Sequence, residues 1–208
     1  MFLYNLISPF YDFFLRPLYR PYRSHVLEML PLHTGAVVLD VACGTGQNFP
    51  YLYQRVGHKG RIIGVDSSGG MLRRAKAWIA EKTLDNVSVF KMDVQNLSPA
   101  TLKAQTGLAS VDFVICTYGF SAMPGDWEKA FHRSFSVLKS GGGYMIHDIY
   151  AEKRTMHVRA FELGTRAHLR RKTWFPLKRV STDFHMEDVE TSTRLFAGKL
   201  FVAYGTKP

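Results

Sequence analysis

The stretch Val37-Val38-Leu39-Asp40-Val41-Ala42-Cys43-Gly44-Thr45-Gly46-Gln47-Asn48 decides how the chain folds. Its first residues are mostly apolar and read as a buried strand. They run into Ala42 to Gly46, a turn with almost no side-chain bulk, so a ligand can lie directly on the main chain. The chain then enters a helix N-terminus, whose free N–H groups favour polar or anionic ligand groups. A second apolar run, Arg61 to Val65, ends in Asp66, 20 residues after Gly46. An acidic residue at that distance is where the ribose hydroxyls of a nucleoside cofactor are held.

Two cofactor classes use this layout. A dinucleotide site needs glycine at the first, third and sixth positions, here Ala42, Gly44 and Gln47, so the first and last fail. The order Asp40-x-Ala42-x-Gly44-x-Gly46 instead resembles the first motif of class I S-adenosylmethionine-dependent methyltransferases, with Ala42 in place of the usual first glycine. S-adenosylmethionine has no pyrophosphate, so the glycine that lets helix and strand close over one is not required.

Outward from this motif, elements alternate. Strands are predicted at Val37–Val41, Arg61–Asp66, Val87–Met92, Val111–Cys116 and Tyr144–Ile149. Helices are predicted at 10–30 (broken near Pro17 and Pro21), 49–56, 70–83 with Ser67-Ser68 as cap, and 126–138, where Ser140-Gly141-Gly142-Gly143 stops the helix. Glu190–Phe196 and Lys199–Tyr204 both alternate around Ala197-Gly198 and read as a terminal hairpin. The expectation is an α/β, doubly wound, mostly parallel seven-stranded sheet closed by an antiparallel hairpin. Residues 1–30 would form a helical lid or membrane-facing segment, and 31–208 the cofactor domain.

Composition narrows the class. At 208 residues and 46% hydrophobic, the chain fits one α/β domain and is not disordered. Two cysteines, Cys43 and Cys116, imply no disulfide framework, read as small apolar filler and suit a reducing cytoplasm. No Cys/His spacing resembles a zinc site, so no metal is expected. The net charge of +10 points to an anionic partner. It concentrates in Lys153, Arg154, Arg159, Arg166, Arg170, Arg171, Lys172, Lys178 and Arg179, with a second cluster at Arg16, Arg20 and Arg23. Residues 1–23 carry eight of the chain's 28 aromatics mixed with arginines, which suits a membrane interface or a lid over an apolar substrate. That segment lacks the features of a signal peptide and is interrupted too early to span a bilayer.

From about Pro9 onward, the chain resembles the small class I methyltransferases related to the ubiquinone/menaquinone C-methyltransferases and bacterial phospholipid N-methyltransferases. The resemblance is carried by Phe10-Tyr11-Asp12, VLDVACGTG at 38–46, IIGVDSS at 62–68 with Met71-Leu72, MDV at 92–94 and LKSGGGYMIHD at 138–148. Ser140 stands where the family's loop has proline, and a short basic segment replaces the quinone enzymes' long insertion after the fifth strand. The resemblance implies S-adenosylmethionine as cofactor. The backbone of Ala42, Gly44, Thr45 and Gly46 would underlie its methionine part, with Asp40 near the ammonium. Asp66, beside Ser67, would take the ribose, Met71 would pack on adenine, and Asp93 and the Val94 N–H would hold the adenine edge. Thr117 and Tyr118 would face the sulfonium methyl.

Around the methyl acceptor the candidates are Tyr11, Tyr118, His147 and Asp148. His147 is the first choice for a general base, Tyr11 closes over the site, and Asp148 lines the acceptor pocket. The charge pattern suggests a small hydrophobic or lipid-like acceptor, met by a cytoplasmic protein in peripheral contact with an anionic membrane. An RNA methyltransferase using the basic 152–179 segment is the alternative. Residues 117–120, Thr-Tyr-Gly-Phe, lack the Asn/Asp-Pro-Pro-Tyr/Phe motif of nucleobase-amine methylation, which argues against a nucleic-acid partner. A cofactor-binding protein without catalysis is disfavoured by the intact Gly44, Gly46, Asp66 and Asp93.

Overall fold

A computed structural model of the chain describes residues 22–23, 26–190 and 197–208. Tyr11, most of the expected lid and residues 191–196 lie outside the described residues. The strands are β1 (Val37–Val41), β2 (Arg61–Asp66), β3 (Val87–Lys91), β4 (Val111–Thr117), β5 (Leu138–Tyr150), β6 (Thr182–Val189) and β7 (Lys199–Thr206). The helices are α1 (Phe49–Val56), α2 (Gly69–Glu81), α3 (Pro99–Thr106), α4 (Trp127–Ser136), α5 (Met156–Thr165) and α6 (Phe175–Val180), with a 3-10 turn at Val94–Asn96.

The seven strands form one sheet in the order β3-β2-β1-β4-β5-β7-β6. The first five are parallel, and β7 runs antiparallel between β5 and β6. Successive residues face opposite sides, and both sides are apolar. Val38, Ile62, Ile115 and Met145 pack under α1, α2 and the buried Leu27 and Leu30. Leu39, Ile63, Val114 and Ile146 pack on the other face against Leu102, Ala130, Phe131 and Leu177. Strand order reverses beside β1, which opens a crevice at the C-terminal ends of β1 and β4.

Local signals start the helices. The Ser68 hydroxyl accepts from the Met71 N–H and opens α2, as the Ser67-Ser68 pair predicts. Asp126 caps α4. Ser98 and Thr101 form a capping box that opens α3, with Pro99 in its first turn. That helix was not expected, although its cap is written in the sequence. Asp112, inside β4, accepts from the Val37 N–H at 2.8 Å and so braces the start of β1.

Two expectations are corrected. The strand beside β7 is Thr182–Val189, before the expected 190–196 segment. Its charged residues belong to an exposed edge, where polarity blunts pairing with other chains and hides the apolar alternation of Phe184 and Met186. Helix α4 ends at Ser136 and strand β5 begins at Leu138, before the expected Tyr144, so the Ser140–Gly143 run does not stop the helix but bends the strand. A Cβ on Gly143 would lie 2.9 Å from the Phe113 ring, and one on Gly142 would lie 2.8 Å from the Asp112 carbonyl oxygen. Close approach to β4 therefore demands glycine there.

Candidate active site

The crevice is walled by Ala42, Gly44, Asp66, Ser67, Ser68, Met71, Met92, Asp93, Val94, Tyr118, Gly119 and Ala122–Pro124. Eight expected site residues therefore share one cleft: Ala42, Gly44, Asp66, Ser67, Met71, Asp93, Val94 and Tyr118. Ala42 and Gly44 take left-handed backbone angles, φ 54° and 56°. A Cβ on Gly44 would meet nothing within 4 Å. It would project into open cleft, so the bare main chain offers room for a ligand. Gly46 serves another purpose: its Cβ would sit 2.4 Å from the Phe49 ring, so it lets α1 close on the turn. Thr45 faces a separate hollow with Gln47, Arg74 and Trp78.

Asp66 braces the turn. Its carboxylate accepts the N–H of Gly44 at 2.9 Å and of Ser68 at 2.7 Å. Burial pushes its pKa up, and these N–H groups pull it down. A carboxylate has about four lone-pair sites, so acceptor capacity remains toward the cleft. Asp93 accepts from the Gln95 N–H at 3.0 Å and thereby opens the 3-10 turn that places Val94 on the wall.

Behind the cleft lies a buried polar network. Asp40 is fully buried and does not reach the wall. Both its oxygens accept from the Asn48 side-chain amide, at 3.0 and 2.9 Å. Burial pushes its pKa up to about 7, against the opposing pull of Asn48 and the Arg23 charge. Arg23 donates to Asn48 Oδ1 at 2.7 Å and to the Thr117 hydroxyl, and its guanidinium sits 5.1 Å from the centre of the Tyr118 ring. Thr117 thus belongs to this network and not to the cleft wall. Arg23 was read as one of a basic cluster with Arg16 and Arg20, yet it is 6% exposed. Nothing in its sequence neighbourhood marks it, because its partners are brought by other elements. Asn48 follows the glycine turn directly, and that position was its only signal.

His147 and Asp148 also stand behind the wall. His147 Nδ1 lies 2.8 Å from the Phe201 carbonyl oxygen, and Nε2 lies 2.5 Å from the Tyr118 hydroxyl. A carbonyl only accepts, so Nδ1 carries the proton and Nε2 accepts from Tyr118. Burial lowers the His147 pKa to about 3, which keeps the ring neutral. His147 was expected as a base facing the acceptor, but both nitrogens are occupied and it reaches the cleft only through Tyr118. Asp148 was expected to line the pocket. It is fully buried and accepts from the Ser121 N–H at 2.9 Å, the Ser121 hydroxyl at 2.5 Å and the Ile149 N–H at 2.9 Å. It anchors the 118–124 loop, which Arg171 also clamps by donating to the carbonyls of Phe120 and Met123 at 2.9 and 2.7 Å. Tyr118 itself is held at φ 55°, a strained angle for a tyrosine. Gly119 makes that turn possible, since its Cβ would lie 2.6 Å from Cys116 Sγ and 2.9 Å from the Ala42 Cβ.

Comparison with known proteins gives the same picture. A demethylmenaquinone methyltransferase of Lactococcus lactis is 30% identical over 142 residues, 68% of this chain and 53% of that protein. The chain spans about half the length of the curated relatives it matches. An S-adenosylmethionine-dependent methyltransferase from Aquifex aeolicus superposes with TM-score 0.62 at 22% identity, covering 89% of both chains. Phosphoethanolamine N-methyltransferase 2 of Haemonchus contortus, solved with S-adenosyl-L-methionine, superposes with TM-score 0.70 at 15% identity over 90% of this chain and 52% of that one. Residues 38–142, from β1 through the glycine bend of β5, match the model of the methyltransferase domain. The chain belongs to the methyltransferase domain family, in the class I, S-adenosylmethionine-dependent group whose motifs it carries.

Proposed function

We propose that this chain transfers a methyl group to a small hydrophobic or lipid-like acceptor, such as a quinone precursor or a phospholipid amine. One observation carries the reading. Around Tyr118 the cleft wall is apolar, formed by Gly119, Ala122, Met123 and Pro124. Demethylmenaquinone methyltransferases among the relatives support the same class.

The open cradle at Gly44 and the acceptor capacity of Asp66 fit S-adenosylmethionine. Asp66 would hold the ribose hydroxyls, Asp93 and the Val94 N–H the adenine edge, and Met71 the adenine face. When bound, this cofactor supplies a methyl group on a sulfonium, already activated for in-line displacement. The protein's task is alignment and exclusion of water. Gly44 admits the ligand to the backbone, and Asp148 and Arg171 hold the loop that walls the acceptor side. Tyr118 faces the acceptor. Its proton is directed at His147, so its oxygen can accept a hydrogen bond from an acceptor N–H or O–H. His147 is a positioning residue that sets this direction.

Incubating a cell extract with the protein and isotope-labelled S-adenosylmethionine tests the reading. Label is expected in the organic phase, dependent on the protein. Label in RNA would establish the alternative, with the basic 152–179 segment on phosphates.

A further inference from the structure

We propose that the outer face of α5 is a docking surface for an anionic phospholipid membrane. Met156, Arg159, Leu163 and Arg166 recur at helical spacing and form one stripe along α5 and its cap. Met156 is 87% exposed and Leu163 83%, the most exposed large hydrophobic side chains among the described residues. Arg159 and Arg166 edge a surface hollow beside Leu163, together with Arg154 and His168. The nearby acid pairs with Arg154 and leaves Arg159 and Arg166 alone. One oxygen of Glu162 accepts the Leu169 N–H at 3.0 Å, and the other lies 3.7 Å from Arg154 Nε.

The opposite face of α5 fixes the helix to the site. Val158 is buried and joins the apolar cluster that contains Tyr118, Ile149 and Leu169. The stripe is therefore the outer surface of a helix whose inner face packs in the cluster that holds Tyr118.

Apolar tips alternating with arginines that pair with no acid among the described residues match one kind of surface. Headgroup phosphates take the guanidinium groups, while Met156 and Leu163 enter the boundary with the acyl chains. A nucleic-acid backbone would satisfy the arginines and leave Met156 and Leu163 in water. Docking here brings the Tyr118 side of the cleft to the bilayer. That consequence rests on the hydrophobic acceptor proposed above; the docking itself does not.

The full chain is sedimented with vesicles of phosphatidylcholine alone and of phosphatidylcholine mixed with phosphatidylglycerol. Binding to the mixed vesicles only, released by high salt, is expected. Arg159→Gln with Arg166→Gln should weaken it about 25-fold, about fivefold per arginine. Met156→Ser with Leu163→Ser should weaken it as well. All four positions are exposed, so thermal melts and calorimetric affinity for S-adenosylmethionine should match the wild type. No vesicle binding, equal binding to both vesicle types, or undiminished binding by both variants overturns the proposal. So does binding of an RNA oligonucleotide in place of vesicles. Vesicle binding without S-adenosylmethionine binding would instead overturn the methyl-transfer reading and leave this one standing.

Discussion

The Tyr118 hydroxyl donates to Nε2 of His147 across 2.5 Å, and the Phe201 carbonyl on the far side of the imidazole fixes that direction. The two rings also meet edge to face, with centroids 4.6 Å apart. Tyr118→Phe keeps the ring contact and removes the proton, which leaves Nε2 buried without its donor. An orphaned buried acceptor costs about 1–3 kcal/mol. Urea denaturation should show a loss in that range, and an unchanged midpoint would count against the bond.

Gly44 and Gly119 should respond differently to the same added methyl. At Gly44 nothing obstructs a Cβ, so Gly44→Ala carries only the left-handed backbone cost of about 1–2 kcal/mol. Its methyl intrudes on the cleft, and S-adenosylmethionine affinity should fall by at least about tenfold by calorimetry. At Gly119 the methyl meets Cys116 and Ala42, and overpacking should lower stability by about 1–3 kcal/mol. Equal affinity losses with equal melts would contradict this contrast.

Asp66→Ala should lose the brace on the Gly44 and Ser68 N–H groups and, on the proposed reading, the acceptor for the ribose hydroxyls. Two hydrogen bonds to a charged group are worth about 3 kcal/mol or more, or about a hundredfold in affinity. Asp66→Asn separates the roles, because the amide oxygen can still accept one N–H. Wild-type calorimetric affinity in both variants would mean that the ribose lies elsewhere.

Asp40 and His147 give the stability curve opposite slopes. The pKa of Asp40 is raised from 3.8 to about 7 on folding, so the native state keeps a proton that the unfolded state releases. That contribution is complete below pH 3.8 and lost as pH rises through about 7, at up to about 1.4 kcal/mol per unit. His147 falls from 6.5 to about 3, so its contribution is present above pH 6.5 and lost as pH falls toward 3. Asp40→Asn should flatten the decline toward alkaline pH in urea titrations. Identical slopes for wild type and variant would refute a protonated Asp40. Arg23→Gln removes a charge that holds Asp40 down, so the decline should move to higher pH.

The parallel strands, the bare turn after β1 and the carboxylates closing β2 and β3 were legible because each is a local pattern. An apolar run, a cluster of small residues and a fixed chain distance need no knowledge of distant contacts. The edge strand β6 was not legible, since its polar side chains reflect what lies beside it in space. Helix α3 had its signal in Ser98, Pro99 and Thr101.

The chain's own order of residues thus dictated the parallel part of the sheet, the cofactor class and eight of the residues around the crevice. Tertiary packing alone decided which groups stand behind that wall. Arg23, Asn48 and Thr117 come from three separate segments, and His147 meets Tyr118 only because β4 and β5 pair in register. Burial, hydrogen-bond direction and pKa are properties of such assembled neighbourhoods, and a one-dimensional order of residues does not encode them locally.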